Sequence, residues 1–444
     1  MMRYFIFVFI LIFHWGANGQ SEGFQLKKDQ VRIPFKLVHN LILIPVQVNG
    51  EHLTFLLDTG ASATVLYSQT RENQDFSQVK KVQFSGTGTD GNIQSIKTVG
   101  NKVTIGNDFV DDNHTVHIIS GEELNFLNHL DVPINGLIGY HFFRKYPVKI
   151  DYTNRYLIIY RDSHQLRVSK YEKLPISIEV GQPYLEAGVQ MRDQEKALKL
   201  LLDLGNNDAL WLFPLYIKGF VENTPNINTV LGQGAHGIIR GKRSRINALN
   251  IGPFKIARPI LSTLDANSLR YLLTVSTRKG SIGNEVLKRF HIIFDYPNEV
   301  IYLRKNKNFK LPFLVNKSGI KIQHTDFVWE PSALAFLLSI KDNEDLKDSV
   351  SFEKEHFKFR YSLTPKYMIS SCRKDAPCDQ VGLKKGDYIV SINGKATRNL
   401  SLSQIEKYFF DKKGTYVRLS VQRGKQIINF GLTLKDPIPY VENP

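Results

Sequence analysis

The chain has little cysteine, no apolar run long enough for a membrane and no cluster of a single charge sign. Only Cys372 and Cys378 are cysteines among its 444 residues, which excludes a disulfide framework and leaves stability to an apolar core. Whether those two are bridged stays open, because a bridge depends on Cα separations that a sequence does not contain. The apolar run YFIFVFILIF, residues 4–13, would reach only about 15 Å as a helix against roughly 30 Å of bilayer hydrocarbon. Preceded by Arg3 and followed by small residues at Ala17 and Gly19, it reads as an export signal over 1–19, with Gln20 opening the mature chain. A periplasmic or extracellular location is therefore expected, with no integral membrane segment after signal removal. The formal charge is +16, but the lysines and arginines are scattered and no zinc-finger, RNP or helix-turn-helix pattern accompanies them, so no nucleic-acid partner is expected. His114 and His117 lack further ligands or a HExxH context, and neither a metal nor a cofactor is expected. Serine, histidine and cysteine nucleophile motifs are also missing.

What the chain does contain is a repeat. Two Asp-x-Gly triplets close apolar runs and open new ones: LTFLLDTGASATVL around Asp58 and LKLLLDLGNNDALWL around Asp203. They lie 145 residues apart (203 − 58), and other landmarks recur at nearly the same offset. GTGTDG at 86–91 returns as GQGAHG at 232–237, and GLIGYHFFRKYPVKIDYTN from Gly136 returns as GSIGNEVLKRFHIIFDYPN from Gly280. Near-constant spacing over such a length marks an internal duplication, and two copies mean two lobes. Asp151 and Asp295 are a further matched pair, but Asn154, Pro297 and Asn298 follow them and assign them to turns. GTGTDG lacks the strand–loop–helix setting of a dinucleotide site, and its duplication fits a pair of cleft-closing hairpins better.

From 31 to 304 the pattern is of short segments rich in Val, Ile, Leu, Phe and Thr between Gly, Asn, Asp and Pro, which predicts a mainly β body. Short helices are expected after Gly139 and Gly283. The lobes are expected over 25–162 and 174–308, followed by a connector over 312–348 and a small α+β domain over 349–435. GLKKGDYIVSING at 382–394 resembles the signature of PDZ domains, with Asn393-Gly394 as a hairpin turn and Ser403 with Glu406 as a helix capping box.

The hydrophobic-Asp-Thr-Gly-Ala motif at 55–61, the glycine-rich hairpin and Leu137-Ile138-Gly139 together resemble the pepsin and retropepsin clan of aspartic proteases. With the PDZ module, the chain looks like an exported bacterial branch of that clan. The resemblance implies a two-lobed acid-protease-like β body, an aspartic endopeptidase activity and a polypeptide substrate. It makes Asp58 and Asp203 the catalytic pair. Thr59, Gly60, Ala61, Leu204, Gly205 and Asn206 become supports of the active-site loops, and Gly86, Thr87, Gly88, Gly232, Gln233 and Gly234 the substrate-binding flaps. Two adjacent carboxyls sharing one proton supply acid and base together. Leu204 departs from the clan, whose threonine there grips the opposite loop, while the amide of Asn206 stands where a donor to the carboxylate is expected. The opposing reading is a catalytically degenerate bilobed protein that binds peptides or acts as a scaffold. The PDZ domain is expected to bind a peptide or protein partner. Its carboxylate loop, sought in FRYSLTPKY before 366–371, has no glycine, which favours a regulatory lid or protein contact over capture of chain termini.

Overall fold

The computed structural model describes residues 23–68, 80–84, 93–120, 132–192, 194–234, 237–269, 275–332 and 360–440. The expected export signal, Gly86, Thr87 and Gly88 lie outside the described residues. Among the described residues no helix is long and apolar enough to cross a membrane. The structure is mostly strand, as the alternation of apolar and polar residues requires.

The duplication is visible as matched strand pairings. In the first lobe the strand leading to Asp58, Glu51–Leu57, lies parallel to Gly136–Ile138, which pairs antiparallel with Thr64–Ser68. In the second, Gln194–Asp203 lies parallel to Gly280–Gly283, which pairs antiparallel with Leu210–Leu212. These strands sit inside sheets of nine and ten strands. Phe55, Leu57, Leu200 and Leu202 are buried beneath the two loops and anchor their bases. A six-stranded sheet joins the lobes, with Val148–Asp151 of one copy paired antiparallel to Phe290–Asp295 of the other. Asp151 turns the chain as expected, accepting the N–H groups of Thr153 and Asn154 at 3.0 Å each. The expected helices are single turns, Tyr140–Phe143 and Asn284–Leu287.

Each lobe's first hairpin turn reaches the opposite lobe's short helix. The Asn40 amide donates to Asn207 O at 3.0 Å and to Glu285 at 2.7 Å, and Gly181 lies against the ring of Tyr140.

The C-terminal sheet corrects two expectations. Ile320–Ser332, inside the expected connector 312–348, pairs antiparallel with Arg360–Cys372, and Ile320 and Ile322 are buried in the same core as Ile389, Ile405, Phe409 and Val417. It is one edge strand of this sheet, the one beside which the helix Leu402–Phe409 packs. The loop entering the edge strand is therefore 316–319, not the stretch before 366–371, and it carries Gly319 at φ +81°. Sequence pattern missed this because a long insertion separates two strands that pair only in three dimensions. The capping box also sits one half-turn earlier. The Ser401 hydroxyl accepts from Gln404 N at 3.3 Å and Gln404 Oε1 accepts from Ser401 N at 2.7 Å. Cys372 and Cys378 are bridged, with Cα atoms 6.1 Å apart.

This domain is tied to the body at both ends. Phe313, Val315 and Ile438 are buried in the core of the lobes, and Arg245 donates to Phe313 O at 3.1 Å and Ile438 O at 3.0 Å. Lys321 of the edge strand donates to Val230 O at 2.6 Å, and His39 of the first lobe lies 3.4 Å from Glu406 of the helix.

Candidate active site

Asp58 and Asp203 end equivalent strands and begin tight loops whose backbone closes on itself. Asp58 N donates to Ile138 O at 2.9 Å and Ala61 N to Asp58 O at 3.1 Å; Asn206 N donates to Asp203 O at 3.3 Å. In each loop the glycine N–H turns back to its own aspartate, Gly60 to Asp58 Oδ1 at 2.7 Å and Gly205 to Asp203 Oδ1 at 3.1 Å. The loops also touch each other. A Cβ on Gly205 would fall 2.4 Å from the Asp58 carboxyl, and one on Gly60 would fall 3.2 Å from Asp203 Oδ1. Glycine is required at 205 because this approach leaves no room for a side chain. The two aspartates are thus brought together between the lobes, and each keeps a partial opening to solvent.

Thr59 supplies one arm of the cross-loop grip. Fully buried, its hydroxyl donates to Leu202 O at 2.6 Å and accepts from Leu204 N at 2.9 Å. Leu204 is also fully buried and packs into the core, so it returns no such bond. Its loop is held by an amide instead: Asn284 Nδ2 donates to Leu204 O at 2.6 Å while Asn284 Oδ1 accepts from Tyr152 OH at 2.5 Å. On the other side Gln182 donates to Gly60 O and accepts from Tyr184 OH at 2.6 Å. Ala61 O accepts from Tyr140 N at 2.9 Å.

The side chain of Asn206 does not serve the carboxylate as expected. Its Oδ1 accepts from Asp208 N at 2.9 Å, and its Nδ2 is buried with no hydrogen-bond partner among the described residues. The amide oxygen is used within its own loop, and the donors to Asp203 are the Gly205 and Asn206 N–H groups and the Ser281 hydroxyl. Gly232 lies in Ile227–Gly234, whose hairpin partner is Gly237–Arg245, with Gln233 opposite Ile238 and Gly234 opposite Gly237.

Burial raises the Asp58 carboxyl to about 7, and the charge of Asp203 adds to the rise, while the Gly60 and Gly205 N–H groups and Arg278 oppose it. Burial also raises Asp203, opposed first by Arg278 and then by its N–H donors and Ser281. Both carboxyls are thus held above the ordinary carboxylate range, and a second negative charge in the same pocket is costly.

Sequence reasoning passed over Arg278, Ser281, Gln182, Asn284 and Tyr152. Aligning the two copies exposes the first two, since Arg278 and Ser281 fall where the first lobe has apolar Ile134 and Leu137. His114 belongs elsewhere: it is buried between Asp111 Oδ2 and Thr64 Oγ1, each at 2.7 Å, and braces the first sheet.

Residues 44–142 match the family model described as aspartyl protease, and residues 339–434 match that of the PDZ domain. Among solved structures the chain is similar to an aspartic proteinase from Irpex lacteus, with 11% identity and a TM-score of 0.41 over 64% of this chain and 99% of that one. Among curated proteins it is 36% identical over 59 residues to a probable CtpA-like serine protease of Staphylococcus haemolyticus, covering 13% of this chain and 12% of the relative. A protein of the same description from Staphylococcus epidermidis is 34% identical over 58 residues, again 13% and 12%. The chain therefore spans only 12% of the length of these curated relatives.

Proposed function

We propose that the protein is an exported aspartic endopeptidase that hydrolyses peptide bonds of an extended polypeptide with Asp58, Asp203 and one water. The observation that carries this reading is the packing of each loop's glycine against the other loop's aspartate, with the Asp58 carboxyl raised to about 7. With one proton on the pair, the ionised carboxylate takes a proton from water as the water oxygen attacks the amide carbon. The protonated carboxyl gives its proton to the carbonyl oxygen. Collapse of the resulting diol returns a proton to the nitrogen as the C–N bond breaks, leaving a carboxylic acid and an amine. The PDZ domain takes a peptide or protein ligand beside its edge strand Ile320–Ser332, as such domains do. The serine-protease description of the short-range relatives suggests no serine mechanism here, since it accompanies only about fifty-nine residues.

The test is cleavage of an unfolded protein by the mature chain. Asp58→Asn and Asp203→Asn are each expected to lower kcat by at least about a hundredfold, the usual worth of acid–base participation. Equal cleavage by wild type and variants removes the mechanism. Leu204 favours a second reading, a bilobed peptide binder without activity. That reading requires an extended peptide to bind and survive intact. Export over 1–19 is checked by the N-terminal residue of the mature protein, expected to be Gln20.

A further inference from the structure

The two copies differ in where they place polarity around their aspartates. In the first lobe the residue after the aspartate is a hydroxyl, Thr59, while Ile134 and Leu137 lining the neighbouring strand are apolar. In the second the pattern is exchanged: the residue after the aspartate is Leu204, while Arg278 and Ser281 stand at the positions of Ile134 and Leu137 (278 − 134 = 281 − 137 = 144). Ser281 lies on Gly280–Gly283, which runs parallel to Gln194–Asp203 with Leu201 opposite Ser281 and Asp203 opposite Gly283. Residues 281 and 283 share a face of that strand, so the serine is presented on the side of the aspartate. Arg278 Nη2 donates to Ser281 Oγ at 2.5 Å and Arg278 Nε to Gly280 O at 3.2 Å, while the Ser281 hydroxyl bonds Asp203. Arg278 is 4% exposed, and its guanidinium carbon lies 5.1 Å from the centre of the Phe213 ring.

A guanidinium keeps its charge, and a charge taken out of water is very costly unless an opposite charge compensates it. The groups facing Arg278 are Asp203, Asp58 and Tyr184; those facing Asp58 besides the other aspartate are Tyr67 and Tyr296. Tyr67 and Tyr296 are neutral there, since burial raises both phenols. One cation and one shared negative charge make the buried group neutral as a whole.

We propose that Arg278 is the positioning residue of the pair: acting through Ser281, it orients Asp203 and holds it as the ionised member, so that Asp203 is the base and Asp58 carries the proton. The Arg278–Ser281 relay thereby braces Asp203 from within its own lobe, beside the loop that Asn284 holds at Leu204 O. This assignment rests on the endopeptidase reading for its catalytic meaning, but the electrostatic arrangement does not.

The experiment is the pH profile of kcat/KM on a peptide substrate for wild type, Arg278→Gln, Arg278→Lys and Ser281→Ala, beside a titration of the aspartate carboxyls followed by carbon-13 NMR. Arg278→Gln is expected to move the acid limb upward by about one unit or more, a tenfold loss at a pH on that limb. Arg278→Lys is expected to return the limb most of the way while kcat stays low, because the charge is kept and the contact to Ser281 is lost. Ser281→Ala leaves the cation in place and is expected to lower kcat about tenfold with KM unchanged, the effect of losing one hydrogen bond to an ionised group. It carries the test should Arg278→Gln fail to fold. A residue that merely fills space would lower the folded fraction without moving the limb. Unmoved limbs and an unmoved carboxyl titration in folded Arg278→Gln, or an unchanged kcat in Ser281→Ala, overturn the assignment. A wild type that cleaves nothing while Arg278→Gln shifts the carboxyl titration would sink the endopeptidase reading and leave the positioning role standing.

Discussion

At the residue scale, Asp58 sits where burying its carboxyl costs stability. Its folded value of about 7 lies above the 3.8 of an ordinary aspartate, chiefly from burial. Between those values the folded state binds more protons than the unfolded chain, so stability falls as pH rises from about 4 to about 7. Asp58→Asn removes the titration and is expected to melt several degrees above wild type at pH 7, with the advantage gone by pH 4. Calorimetry at the two pH values checks this; a lower melting point at pH 7 contradicts it. His141 has the opposite linkage: burial pulls it down to about 4, so it is neutral when folded and its share of stability is lost as pH falls from about 6.5 toward 4.

At the scale of the element, the helix Leu402–Phe409 was legible in the run QIEKYFF, 404–410, whose Ile405 and Phe409 are buried on one face with Leu402. Its start was not, because 401 and 403 are both serines and either can begin a box. The backbone decides: Ser401 is extended and bonds Gln404, while Glu406 faces His39 across the domain boundary. Ser401→Ala is expected to cost about 1 kcal/mol and Ser403→Ala less than about 0.5 kcal/mol in denaturant unfolding of the full chain. Equal effects would return the cap to the later serine. The turns at Asp151 and Asp295 were readable for a local reason: an aspartate that bonds residues two or three positions on needs nothing from the rest of the fold.

At the scale of the whole molecule, the C-terminal domain is not a bead on a tether. Arg245 holds the carbonyls of Phe313 and Ile438, the entry and exit of that domain, and Arg258 stacks over Tyr440 at 4.0 Å. Arg245→Met keeps the apolar stem and removes five donors. It is expected to split a single cooperative melting transition into two and to speed proteolytic cutting near 306–316. A variant that melts and is cut like wild type shows that core burial of Phe313 and Ile438 alone fixes the domain.

The duplication, the mainly β character, the paired aspartates and the PDZ signature were settled by the sequence, because each rests on short-range pattern or on a repeat visible as identity at constant spacing. Tertiary structure alone decided that Ile320–Ser332 enters the PDZ sheet, that the Asn206 side chain bonds Asp208 N and not the carboxylate, and that Arg278 and Ser281 stand beside it. Those outcomes depend on hydrogen bonds and charges meeting across long stretches of chain, where neighbouring residue types carry no record of the partner.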